Sequence, residues 1–233
     1  MKRSTLDQLV RSQQEKQTIV LLTDMETGQQ DTLFPLSPQA EHPLLEQILA
    51  AVRDDRSFIY ETAGKQTFVQ VYNPPLRLVI VGAVHISQFL VPMARMAGYD
   101  VTVIDPRRAF GNAERFPDCS ILNDWPDEAL AELKPDHRTA VVILTHDPKL
   151  DDPALEIALP SPAFYIGALG SKRTHAKRLE RLKHLPRLDR IDGPVGLDIG
   201  AKSPAEIALS ILGAITAALR QGDNQGDNQG DKK

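Results

Sequence analysis

The rhythm of apolar positions changes near residue 75. Before that point the segments are short and mixed. Lys16-Gln17-Thr18-Ile19-Val20-Leu21-Leu22 predicts a strand. Between Glu41 and Arg53, the residues Leu44, Leu45, Ile48, Leu49 and Val52 recur at helical spacing. From Gln66 to Tyr72, Phe68, Gln70 and Tyr72 alternate with Thr67, Val69 and Val71, the period of a half-buried strand. Asn73-Pro74-Pro75 then breaks the pattern, because proline lacks an amide donor and restricts the residue ahead of it. Residues 1–73 are read as a small α+β domain.

From Leu76 onward, short apolar runs alternate with helical stretches. Leu78-Val79-Ile80-Val81 is continuous, as a strand covered on both faces requires. Ile86, Phe89, Leu90, Met93, Ala94 and Ala97 fall on one helix face, with Gly98 as a left-handed cap. Pro92 lies inside that helix and is expected to bend it. Val101 to Ile104 completes a βαβ unit. Further strands are expected at Ala140–Leu144, at Ala163–Ile166 and around Pro194–Leu197. Ser171 starts a helix over Lys172–Leu182. Ser203-Pro204-Ala205-Glu206 is a capping box that opens a helix through Ile207, Ile211, Ile215 and Leu219. Residues 74–220 are therefore read as a Rossmann-like, doubly wound parallel sheet. The last stretch, residues 221–233, repeats Gly, Asp, Asn and Gln without an apolar side chain, and is expected to be disordered.

Composition narrows the setting. The net charge of −4 offers no electrostatic attraction to nucleic acid. The single cysteine, Cys119, cannot form an internal disulfide, which suits a reducing, cytoplasmic location, and it is read as a small apolar residue. The polar N-terminus has no signal-peptide core. No apolar run approaches the roughly 20 residues of a membrane span.

In a doubly wound sheet, ligands bind beyond the carboxyl ends of the strands. The first strand end reads Gly82-Ala83-Val84-His85. Gly82 fits the opening of a dinucleotide motif, but Val84 stands where a second glycine lets backbone approach a pyrophosphate. A β-branched residue there also dislikes positive φ. His85 is read either as a ligand contact or as an ordinary helix-start residue. The second strand ends in Asp105-Pro106-Arg107-Arg108, where Asp105 suits a ribose hydroxyl and Arg107 or Arg108 a phosphate. The other reading is a strand-end cap beside solvated arginines. The third ends in Thr145-His146-Asp147, three polar residues after a buried strand. The fourth runs into Gly167-Ala168-Leu169-Gly170-Ser171-Lys172-Arg173, where glycines, a helix N-terminus and two cations converge, and this turn is preferred as an anion site. Its alternative is a tight turn before a solvated basic face of Arg173, Lys177, Arg178, Arg181 and Lys183. Gly196, Asp198 and Gly200 form a last glycine-lined loop before the capped helix. No residue spacing suggests a metal site, and no catalytic residue is assigned.

These segments, in this order, resemble the XdhC/CoxI family of accessory proteins for xanthine dehydrogenase and related molybdenum hydroxylases. The resemblance rests on Pro74 to Ala83 with His85, on Asp105-Pro106-Arg107, and on Glu114-Arg115-Phe116-Pro117. It continues through Thr145-His146-Asp147, Tyr165 to Arg173, Pro194 to Ala201 and Pro204 to Ala208. The resemblance implies a Rossmann-like domain that binds molybdenum cofactor (molybdopterin), aids its sulfuration and delivers it to the apo-hydroxylase. Expected partners are a molybdenum hydroxylase such as xanthine dehydrogenase and a cysteine desulfurase. A homo-oligomer stays open. The chain departs from the family's pattern at Val84, and no G-S-S-x-R-x-P-G-like segment or cysteine motif precedes Pro74. The leading expectation is a non-catalytic maturation chaperone. The rivals are an NAD(P)-dependent oxidoreductase and a ligand-free scaffolding homologue.

Overall fold

A computed structural model describes residues 3–117 and 119–221, with Gln221 as backbone only. The expected disorder of the C-terminal repeat thus concerns residues almost wholly outside the described ones. The chain divides into two compact units at Pro74/Pro75.

The first unit comprises α1 (Arg3–Gln14), β1 (Ile19–Asp24), β2 (Gln30–Leu33), α2 (Leu45–Arg53), β3 (Phe58–Thr62) and β4 (Lys65–Tyr72). The strands form an antiparallel sheet in the order β2-β1-β4-β3. Leu44, Ile48 and Val52, spaced for one helix face, meet Val20 and Val69 in its core.

The second unit comprises β5 (Leu76–Val81), α3 (His85–Met96), β6 (Tyr99–Ile104), β7 (Ser120–Leu122), α4 (Pro126–Leu133), β8 (Thr139–Ile143) and α5 (Pro148–Ala158). It continues with β9 (Tyr165–Ala168), α6 (Lys172–Arg181), β10 (Ile191–Asp192) and α7 (Pro204–Gln221). All six strands are parallel, in the order β10-β9-β8-β5-β6-β7. That is the 3-2-1-4-5-6 order of a Rossmann sheet, and its reversal lies between β5 and β8. Alternate residues of β5 serve the two faces. Leu78 and Ile80 join Leu90, Ile211 and Ile215 on one side, while Val79 and Val81 join Leu130, Val141 and Leu155 on the other. Among the described residues, no helix is long and apolar enough to cross a membrane.

Three expectations need correction. The last strand is Ile191–Asp192, not Pro194–Leu197: Pro194 has no amide to donate and Gly196 sits at φ +99°. Val84 is extended at φ −93°, so its β-branch meets no conformational objection, and only its bulk separates it from glycine. Arg178 is not on a solvated face. It is 1% exposed, on the inner side of α6.

Candidate functional site

Because every strand of the second unit is parallel, the residues that follow β5, β6, β8, β9 and β10 share one edge of the sheet. At its centre the ends of β5 and β8 close on each other. Gly82 has φ +115°, and a Cβ there would lie 2.8 Å from Thr145 Cγ2 and 3.2 Å from the Thr145 amide nitrogen. Only glycine satisfies both the backbone conformation and the approach.

The turn after β5 is tied to the end of β6. The Gly82 amide donates to the Ile104 carbonyl (2.8 Å) and the Ala83 amide to Asp105 Oδ2 (2.8 Å). Asp105 has no exposed surface. It also receives the Arg107 amide (3.0 Å), Nε (2.9 Å) and Nη2 (2.8 Å). Burial pushes its carboxyl up, but the Arg107 side chain, the two amides and the Arg107 charge together hold it below the usual value. Asp105 thus positions Arg107, whose side chain is 39% exposed, and offers no free oxygen to a ribose. Since the folded carboxyl is lowered, its contribution is complete above the unfolded value near 3.8 and is lost as pH falls through the folded one. Asp105→Asn removes that acid-side dependence and places amide hydrogens against Arg107. The expected loss is about 2–3 kcal/mol at neutral pH by urea titration, shrinking as the wild type is acidified below pH 4.

Five helices open along this edge, and three have side-chain caps; α4, after β7, has none but carries Asp127 and Glu128 in its first turn. Asp147 caps α5 by accepting from the Lys149 amide (3.0 Å). Ser171 caps α6 by accepting from the Thr174 amide (3.2 Å). Ser203 and Glu206 cap α7 reciprocally. α3 begins at Val84 with no side-chain cap and no acidic residue in its first turn. Its first amides are therefore open, and an anion gains most there. Arg115 strengthens the position, donating from Nη1 to the Ala83 carbonyl (3.0 Å) and the Phe110 carbonyl (2.8 Å). The role of Arg115 does not emerge from the sequence, because its contact with the Ala83 carbonyl spans 32 residues.

The remaining expected residues fall into three groups. His85 is exposed in the first turn of α3. Thr145 donates to Asp151 Oδ1 and accepts from the Asp147 amide (3.2 Å), while His146 is exposed at φ +62°. Asp147 is thus taken up as the N-cap of α5. Gly167 is buried within β9, where a Cβ would lie 2.4 Å from Val195 Cγ2, so it serves packing. Gly170 begins the turn to α6, and Ser171, Lys172 and Arg173 are exposed. Gly196 abuts α7 at Ser210, whereas Asp198 and Gly200 are exposed on the loop beyond β10.

Beneath the β8 and β9 turns lies a buried polar seam. Arg178 Nη2 donates to the Leu169 carbonyl (2.8 Å) and faces Asp151 Oδ2 at 3.4 Å. Arg178 Nε and Nη1 are buried without acceptors among the described residues. Burial raises the Asp151 carboxyl, opposed by the Thr145 hydroxyl and the Arg178 charge. Next along, Asp192 accepts from the Tyr165 hydroxyl and from the Gly196 amide (3.3 Å). Burial first and Asp192 second raise the phenol strongly, so it stays protonated.

Comparison with known proteins agrees with this fold. Residues 78–215 match the family model described as the XdhC Rossmann domain. The chain is 34% identical over 149 residues to a probable xanthine dehydrogenase subunit of Bacillus subtilis (strain 168), covering 64% of this chain and 44% of that protein. It is 31% identical over 150 residues to the molybdenum cofactor insertion chaperone PaoD of Escherichia coli (strain K12), covering 63% and 41% respectively. The chain therefore spans less than half the length of these relatives. A crystal structure described as a xanthine dehydrogenase from Bacillus halodurans superposes with a TM-score of 0.72 at 26% identity, over 97% of this chain and 70% of that one.

Proposed function

Since the chain belongs to the XdhC family through its Rossmann domain, we propose that it is a maturation protein for a molybdenum hydroxylase. In this reading it holds molybdenum cofactor by the phosphate of the pterin and passes it to the apo-enzyme. The observation that carries the reading is the uncapped N-terminus of α3, flanked by Arg115 on the Ala83 carbonyl and by Arg107 fixed on Asp105. A phosphate monoester fits such a place, because open amides, a helix dipole and guanidinium donors all favour a compact dianion. Cys119 donates to the Val101 carbonyl beside β6, and burial raises its thiol, so it offers no thiolate for molybdenum or sulfur. Sulfuration is accordingly proposed to come from a cysteine desulfurase that meets the bound cofactor.

The same geometry argues against a dinucleotide. The Gly82 and Ala83 amides are already bonded, Val84 fills the space of the second glycine, and Asp105 is spent on Arg107.

The test is retention of each ligand by the purified protein. Molybdenum cofactor is expected to remain through gel filtration, read by pterin fluorescence, while NAD(P)H is not. Arg107→Ala is expected to weaken retention roughly tenfold, the scale of one charge-assisted contact. The pair Lys172→Ala and Arg173→Ala should cost only a few-fold, because both side chains are exposed at a capped helix. Retention of NAD(P)H alone refutes the proposal. A larger effect from the α6 pair moves the phosphate to that helix.

A further inference from the structure

The Glu114-Arg115-Phe116-Pro117 segment has no part in the phosphate site beyond one Arg115 bond. Its Arg115, Phe116 and Pro117 form one wall of a groove of about 340 Å³, whose other wall is α3. Gln88, Pro92, Arg95, Met96, Arg115 and Phe116 line it. Two features point to an occupant. The first is unused apolar surface: Met96 is 83% exposed at the groove, with the exposed Pro92 ring beside it. A flexible thioether in such a place adapts to an inserted side chain.

The second feature is charge. Arg95 is exposed and pairs with no carboxylate among the described residues. Arg115 is oriented by its two carbonyl contacts and lies over the Phe116 ring at 5.4 Å, with Nε and Nη2 unpaired among the described residues. Two guanidiniums thus stand on one apolar rim in a chain of net charge −4.

We propose that this groove docks a partner-protein segment that presents an apolar side chain flanked by carboxylates. The apolar residue covers Met96 and Pro92, and the carboxylates pair with Arg95 and Arg115. The site deepens the maturation reading, and rests on it, by assigning the surface through which a client protein is met. Arg115 belongs to both places, since its Nη1 holds the Ala83 carbonyl at the start of α3.

A fluorescein-labelled peptide bearing Glu-Glu-Leu-Phe-Glu-Glu, titrated with the full chain, tests this by anisotropy. Saturable binding is expected, weakening as salt rises. Arg95→Glu should weaken it roughly tenfold or more and Met96→Ala several-fold, and the Met96 methyl resonance should shift on binding. Neither variant touches the phosphate site, so both are expected to retain pterin as the wild type does. Absence of binding, equal binding of Lys-Lys-Leu-Phe-Lys-Lys, or indifference to Arg95→Glu overturns the groove while leaving the cofactor reading intact. Failure of the wild type to retain pterin, with peptide binding preserved, overturns the cofactor reading instead. Self-association abolished by Met96→Ala assigns the groove to a second copy and overturns the proposal.

Discussion

Arg178→Ala is expected to lower the unfolding free energy by about 3–5 kcal/mol, the range for stripping one partner from a buried ion pair. Arg178 is 1% exposed and serves both the Leu169 carbonyl and Asp151. Its removal leaves Asp151 buried with the Thr145 hydroxyl as its remaining side-chain hydrogen-bond partner among the described residues. The loss should depend on pH in a defined sense. The Asp151 carboxyl is already raised, chiefly by burial, and losing the guanidinium raises it further. Between the unfolded value near 3.8 and the raised folded value, the native state holds the proton that the unfolded state has released. Stability therefore falls as pH rises across that window. The variant should be closest to the wild type at its acid end. Adding Asp151→Asn should recover a large part of the loss at neutral pH, because it removes the unpaired charge. Urea titrations of the two single variants and the double variant measure the coupling directly. A cost below about 1 kcal/mol for Arg178→Ala would mean that the seam is hydrated and that Arg178 is held by water.

Gly82→Ala should be nearly as damaging, and for a different reason. The alanine would have to keep φ near +115°, a conformation L side chains rarely adopt. Its Cβ would also press on Thr145 Cγ2 at 2.8 Å, the Thr145 amide nitrogen at 3.2 Å and the Leu144 carbonyl carbon at 3.3 Å. Two of those three atoms are backbone, so relief requires β5 and β8 to part. A loss of about 3 kcal/mol or more is expected from strain and overpacking together. Pterin retention should fall with it, because the Gly82 carbonyl accepts from Ser87 Oγ (2.6 Å) and the Ala83 amide is anchored on Asp105. Gly28→Ala is the control. Gly28 has φ +69° but nothing within 4 Å of its would-be Cβ, so only a conformational cost near 1 kcal/mol is expected. Equal effects at the two glycines would show that the close approach at Gly82 contributes nothing.

The long-period features of the fold are readable from residue order. Continuous apolar runs identify β5, β6 and β8, helical periodicity identifies α3 and α7, and the two prolines mark the division of the chain. What escapes is short or set by distant contacts. β7 has three residues and β10 two, too few for any periodicity. α4 and α5 each begin with proline at the first helical position, and Asp147 precedes Pro148 as a cap. That signal stands in the sequence, masked because Thr145-His146-Asp147 reads equally well as site chemistry. Arg178 leaves a trace too: it stands four residues before Leu182, which is 2% exposed, and so shares its inward face. For the proposed site, the strand ends that carry the candidate residues are legible, but the choice among helix starts is not. The basic turn before α6 looks strongest because its cations are adjacent in sequence, whereas the cations near α3 arrive from Arg107 and Arg115, beyond the next strand.

The two-residue β10 and three-residue β7 are the margins of the six-stranded sheet. Each leaves only a stub of unpaired amides, too short to template the strand of another molecule. The Rossmann domain is thereby guarded against edge-on polymerisation through either margin of its sheet.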